Sequence, residues 1–183
     1  MTSDGAEGTV SGTMMNRVVR AVKLDPTLYR EVSGDGSKTT EAMIVVALAA
    51  LIGGLGPILG PGHFRFGGWI LAAILAPTLF LAIGTGVLWL IGKLFSGKAE
   101  FMQMFRPLGY AYAPYALGII PFIGGIIGGI WALVCAVIAV RESEEVSTGA
   151  AVAIVLIPAA ILFILMLIVG AVIGLTMLGL ARS

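Results

Sequence analysis

Residues 107–140 carry no charged side chain, and neither do residues 149–180. Soluble domains place a charged residue at about one position in four, so runs of this length have nowhere to hide in a small water-soluble core. Over the whole chain of 183 residues, 58% are hydrophobic and 11% charged, a balance that calls for lipid rather than water against the outer surface. Backbone polar groups inside lipid must pair within their own segment, which favours helices. The expected fold class is therefore all-α: a polytopic membrane helical bundle of about five transmembrane helices with cytoplasmic amphipathic segments.

A helix needs about 20 apolar residues to cross the hydrocarbon core. Residues 42–61 and 68–92 predict the first two spans, with Trp69 and Trp89 near the ends of the second, where interfacial tryptophans belong. Residues 107–140 are too long for one upright span. Pro121, followed by Gly124 and Gly125, divides them into spans at 107–120 and 123–140 joined by a tight hairpin. Both are short, and a re-entrant pair is the alternative to two full crossings. Residues 149–180 form a fifth span, long enough to tilt or bend, with Pro158 as an available kink site. Residues 1–13 are small and polar, read as a disordered tail, and lack the pattern of a secretory signal peptide. Residues 14–41 form a cytoplasmic amphipathic segment ahead of a membrane domain at 42–183.

Nine of the 11 Lys and Arg residues then fall on one side of the membrane, with Arg65 and Arg182 on the other. The positive-inside rule puts the N-terminus in the cytoplasm and the C-terminus outside. On the cytoplasmic side, Met15, Val18, Val19 and Val22 share one helical face, with Arg17, Arg20 and Lys23 off it. Asp25 is placed to cap a further turn that starts at Pro26 and carries Leu28, Tyr29 and Val32. Phe101, Met104, Phe105 and Leu108 follow a second helical stripe. Both pieces either lie in the headgroup plane or pack under the bundle.

No Asp, Glu, Lys, Arg or His falls inside an expected span. Proton relays, ion-coupled carriers and voltage sensors place ionisable groups there. The spans also lack serine and aspartate for a buried hydrolase, and His63 is the lone histidine, in a short outer loop. A non-enzyme without cofactor or metal is expected. A net charge of +1 provides no field for nucleic acid. Lone Cys135 reads as a small packing residue.

Small residues recur at four-residue spacing: Gly56 with Gly60, Gly124 with Gly128, Gly125 with Gly129, and Gly170 with Gly174. Such pairs let helix backbones approach closely, within the bundle or across an oligomer face. Tyr110, Tyr112 and Tyr115 flank Pro114 and read as an interfacial aromatic belt, or else line a polar cleft or hold a lipid headgroup. Pro114 and Pro121 are expected to kink and end a helix. Arg106 should snorkel to the surface, with Glu100 or a lipid phosphate in reach. Residues 141–145 read as a solvated helix extension, and Trp131 as packed between helices. Thr78, Thr85 and Thr176 are expected to bond back to their own helices.

The stretch FMQMFRPLGYAYAPYALGIIPFIGGIIGGIWAL at 101–133 resembles the Yip family (Ypt-interacting proteins, Rab-interacting membrane proteins). The likeness rests on an amphipathic start, then Arg106, Gly109-Tyr110 and Pro114. VKLDPTLYREV upstream, with Asp25-Pro26, is similar to the lead-in of prokaryotic members. The resemblance implies a five-span helical protein with a cytosolic N-terminus, in a bacterial or archaeal plasma membrane. Eukaryotic relatives act in vesicle traffic, bind Rab-type GTPases and shape membranes, and are not known as enzymes. Their DLYGP-type motif in a long cytosolic domain has no counterpart here, DPTLY being no substitute, which puts Rab-type GTPase binding in doubt. The expected role is a non-catalytic membrane scaffold or adaptor, or an accessory subunit of a larger complex. Its partners would be membrane lipids and another membrane protein or a second copy of itself. The residues expected to meet them are Arg17, Arg20, Lys23, Asp25, Pro26, Phe101, Phe105, Arg106, Gly109, Tyr110, Tyr112, Pro114 and Tyr115. The alternative is a small channel or carrier for an uncharged solute or lipid, with kinks at Pro77, Pro114 and Pro158 opening a polar path.

Overall fold

The computed structural model of the chain describes residues 13–55 and 66–180. Gly56, Gly60, His63, Arg65, Arg182 and the tail at 1–12 lie outside the described residues, as does the side chain of Trp69. The described residues are helical throughout: α1 (Met14–Val22), α2 (Pro26–Gly34), α3 (Lys38–Gly53), α4 (Phe66–Leu94), α5 (Phe101–Ala111), a 3₁₀ segment (Ala113–Ile119), α6 (Gly124–Glu144) and α7 (Thr148–Leu180). Among the described residues, three stretches are long and apolar enough to cross a bilayer: Leu75–Leu94 of α4, Gly124–Glu144 of α6 and Thr148–Met177 of α7.

The turn between α1 and α2 follows from its sequence. Leu24 takes a left-handed conformation (φ 63°), and Asp25 N–H donates to Arg20 C=O at 3.0 Å, closing the carbonyl end of α1. Asp25 then caps α2, accepting from Thr27 N–H at 2.9 Å, with Pro26 in the first turn, where a missing N–H costs nothing. The two helices fold against each other, and Tyr29 Oη donates to Ala21 C=O at 2.9 Å.

Helices α3 and α5 run parallel. Arg106 meets Thr39 near their starts, Gly109 meets Ala42 one turn on, and Gly118 meets Gly53 at the far end. Helix α6 returns antiparallel, with Gly124 against Leu117, Gly128 against Pro114, and Glu144 against Ala99. Leu28, Tyr29, Val32, Met104, Tyr110 and Cys135 are fully buried where α2, α5 and α6 meet.

The segment 107–120 is thus not one α-helix. Helix α5 ends at Ala111, and Pro114 opens the 3₁₀ segment. A proline ring here would strike the Tyr110 carbonyl of a continuing α-helix. Pro77 and Pro158, by contrast, lie within unbroken helices. The apolar face of α1 also divides. Ala21 and Arg17 turn inward while Met15 and Val19 are exposed. The inner niche offers a carboxylate, Glu41, and that recruits Arg17. The second stripe packs inward as one alternative foresaw, with Met104, Phe105 and Leu108 buried.

Candidate functional site

One end of the bundle holds a layer of charged side chains that are mostly tied to one another. Arg17 donates from Nε to Glu41 Oε1 and from Nη2 to Glu41 Oε2, each at 2.7 Å, a bidentate pair with both partners largely buried. Partial burial pushes the Glu41 carboxyl up, but Arg17 and the Tyr110 hydroxyl beside it outweigh burial and hold it below the usual range. Arg20 reaches Asp25 at 2.7 Å, Glu31 at 3.0 Å and Thr27 Oγ1 at 3.0 Å. For Asp25 too, burial works against the charge. The Thr27 hydroxyl, the Arg20 guanidinium and the Thr27 N–H overcome it and bring the carboxyl down to about 2.

Arg106 does not snorkel. It is buried, donating from Nε to Thr39 Oγ1 at 3.1 Å and from Nη1 to Ser33 C=O, and so ties α5 to α2 and α3. Glu100 instead sits at the start of α5, where its N–H donates to Gln103 Oε1 at 2.8 Å. The run 141–145 is not a solvated extension. Glu142, Ser143 and Glu144 are buried, and Glu145 is exposed, paired with Lys98 at 2.8 Å. Glu142 accepts from Arg30 at 2.5 Å and from Arg141 at 2.9 Å. Glu144 is fully enclosed, accepting from Ala99 N–H at 2.9 Å in a space that Gly92 and Gly97 leave open. A Cβ at Gly92 would lie 2.7 Å from its Oε1.

The sequence candidates separate into four groups. Arg17, Arg20, Asp25, Arg106 and Tyr110 come together in this layer. Phe101 and Phe105 stack at 6.1 Å beneath it, Phe105 buried and Phe101 partly so. Pro26 and Lys23 are exposed at its edge. Further along, Gly109, Pro114, Gly124 and Gly128 are close-approach points: a Cβ at Gly109 would lie 2.8 Å from Ala42 Cβ, and one at Gly128 2.5 Å from Pro114 O. Tyr112 and Tyr115 face each other at 4.4 Å and line an apolar cavity of about 130 Å³ with Leu81, Thr85 and Leu108. Gly125, Gly170 and Gly174 meet nothing within 4 Å, and Gly129 meets only the edge of Tyr115 at 3.9 Å. Thr176 bonds back to Ile173 C=O at 2.8 Å as expected, but buried Thr85 Oγ1 has no hydrogen-bond partner.

A Yip1 domain family model matches residues 25–170. The chain belongs to the Yip1-domain family. No curated protein and no solved structure matches it. The Yip1 match begins at the helix cap Asp25 and ends within α7, so it covers α2 to α6 and most of the polar layer, but leaves out α1 with Arg17 and Arg20. Glu41, Ser33 and Arg30 were not singled out from the sequence, and Glu142 was read there as part of a solvated run. One signal was available for the last: 135, 139 and 142 continue a single helical face past the end of the apolar run, so Glu142 shares the buried side of Cys135 and Ala139.

Proposed function

We propose that this Yip1-family chain is a non-catalytic integral membrane scaffold or adaptor, with the charged layer on the cytoplasmic face. The observation that carries the reading is the bidentate Arg17–Glu41 pair, with Arg106 beside it. These groups join α1, α2 and α3 to α5, so their chemistry is spent on holding helices together. Apolar side chains cover the exterior beyond the layer: on α7, positions 160–177 are all exposed. Such a surface is suited to lipid, to another membrane protein or to a second copy, and the chain would serve as an accessory subunit.

The test is extraction from the source membrane into native nanodiscs by an N-terminal tag, followed by mass spectrometry of the co-purifying material. A stoichiometric membrane-protein partner that is lost in Glu41→Ala is the expected result. A lone protein, together with solute flux in liposomes, would overturn the scaffold in favour of a carrier for an uncharged solute or lipid. The cavity beside Tyr112 and Tyr115 favours that second reading. Flux that disappears in Tyr112→Phe or Pro114→Ala would establish it.

A further inference from the structure

We propose that residues 107–140 do not cross the membrane but form a re-entrant hairpin, whose apolar tip at 119–123 ends in the hydrocarbon near the bilayer midplane.

The first observation fixes the depth of α6. Trp131 Nε1 donates to Val22 C=O at 2.9 Å, which seats the end of α1 against the outer half of α6. Lys23 follows directly and is exposed, and Arg20 and Asp25 flank the same turn. Water or headgroups therefore reach the level of Trp131, a partly exposed tryptophan in an interfacial position. From Trp131 back to Gly124, where α6 starts, is seven residues, about 10 Å of helix, and the turn at Phe122 follows directly, against a hydrocarbon core of about 30 Å.

The second observation is the overshoot of a neighbouring helix. Leu81 of α4 lines the same cavity as Tyr115. From Leu81, α4 continues back to Phe66, roughly 22 Å at ~1.5 Å per residue. From Tyr115 the 3₁₀ segment continues only to Ile119, roughly 8 Å at ~2.0 Å per residue. The hairpin stops well short of the end of α4.

The third is the chemistry of the tip. Ile119, Ile120, Pro121, Phe122 and Ile123 are all exposed, Phe122 at 97%. An outer loop at a water interface would have no polar side chain here at all. Hydrocarbon accepts such a tip provided its backbone is paired. Ile120 N–H donates to Leu117 C=O at 2.9 Å, Ile123 N–H to Pro121 C=O at 2.9 Å and Gly124 N–H to Ile120 C=O at 3.0 Å, and Pro121 has no N–H to satisfy, which leaves Phe122 as the one tip amide among 120–124 without a bond. The Lys and Arg distribution is indifferent, because the tip carries no charge and both ends of the hairpin stay on one side in either topology.

The test uses the full chain in sealed vesicles, with Cys135→Ser as background and a single cysteine introduced as Phe122→Cys. Ile120→Cys and Ile126→Cys repeat it on the two arms in case Phe122→Cys misfolds. Lys23→Cys is the accessible control. A membrane-impermeant maleimide is applied from each face. The hairpin labels roughly tenfold more slowly than Lys23→Cys from both faces, since hydrocarbon excludes the thiolate. A bimane on Phe122→Cys is quenched more by nitroxides near the lipid chain ends than by nitroxides near the headgroups. Rapid labelling from the face opposite Lys23→Cys would mean a full crossing, and rapid labelling from the same face a water-exposed hairpin. Either result overturns the proposal.

Discussion

The two ends of this bundle are held by different physics. At the charged end, helices far apart in sequence are joined by directed pairs: Arg17 to Glu41, Arg30 to Glu142, Arg106 to Ser33 and Thr39. At the apolar end, Gly53, Gly118, Gly124 and Gly128 bring backbones into contact, while α7 presents exposed apolar side chains along positions 160–177. A buried ion pair tolerates almost no change to one partner alone, since the other becomes an uncompensated charge. A glycine contact fails by sterics, and only where a neighbour is present. An exposed apolar face meeting nothing tolerates nearly any apolar substitution. The same bundle should thus respond to mutation in three graded ways.

The largest effect is expected from Glu41→Ala, which leaves the Arg17 guanidinium buried without its carboxylate. The loss should be about 3–4 kcal/mol, seen as a lowered thermal midpoint in detergent micelles. The paired change Arg17→Met with Glu41→Leu should recover most of it, because the two charges are then removed together. Full loss in the double variant would mean that the charges themselves, rather than their pairing, hold α1 in place.

Gly128→Leu comes next. Its side chain would enter the backbone of Pro114, which cannot swing away as a side-chain end would. A loss of about 2–3 kcal/mol is expected, and the two arms of the hairpin should separate before the charged layer loosens. Measuring the midpoint by Trp131 fluorescence and by circular dichroism together would reveal that order. Coincident transitions would show that the two ends unfold as one unit.

Gly124 and Gly128 were legible in the sequence because close helix contacts in lipid favour glycine at that spacing, and the Asp25-Pro26 cap was legible because capping is local. Arg106 and residues 141–145 were not. Each lies at the border of an apolar run, where snorkelling and solvation are the usual fates, and only the three-dimensional neighbours decide otherwise. Ser33 and Thr39 are about seventy positions from Arg106, too far for any periodicity to connect them. The hairpin was legible as an ambiguity: Pro121 and its glycines marked a turn without giving its depth.

Asp25 should have an intermediate effect with a distinct pH signature. Its carboxyl is held at about 2 in the folded chain, below the ordinary value of 3.8. The charged form is thus favoured by folding. This stabilisation is complete above pH 4 and is lost as pH falls from about 4 towards 2. Asp25→Asn should flatten the acid side of the stability curve while keeping an acceptor for the Thr27 N–H. Asp25→Ala should lose that cap as well, for about 1 kcal/mol in total at neutral pH once solvent screening of the Arg20 pair is allowed for. An unchanged acid slope in Asp25→Asn would assign that slope to the other carboxyls held low, Glu41, Asp35 and Glu145.

The smallest effect is the one that bears on partners. Gly170 and Gly174 share the four-residue spacing of Gly124 and Gly128, but a Cβ at either meets nothing within 4 Å. Within a single chain, Gly170→Leu should therefore change stability by less than about 0.5 kcal/mol, or raise it slightly by removing a glycine from a helix interior. The comparison with Gly128→Leu becomes sharpest in the membrane. If α7 faces lipid alone, Gly170→Leu leaves the protein unchanged there as well as in micelles. If a second copy or another membrane protein packs its backbone against this stripe, the added side chain separates the two, and the species recovered in native nanodiscs becomes smaller while the micelle stability stays the same. Identical spacing at two places in one chain would then have two uses, one already occupied within the fold and the other completed only by a neighbour.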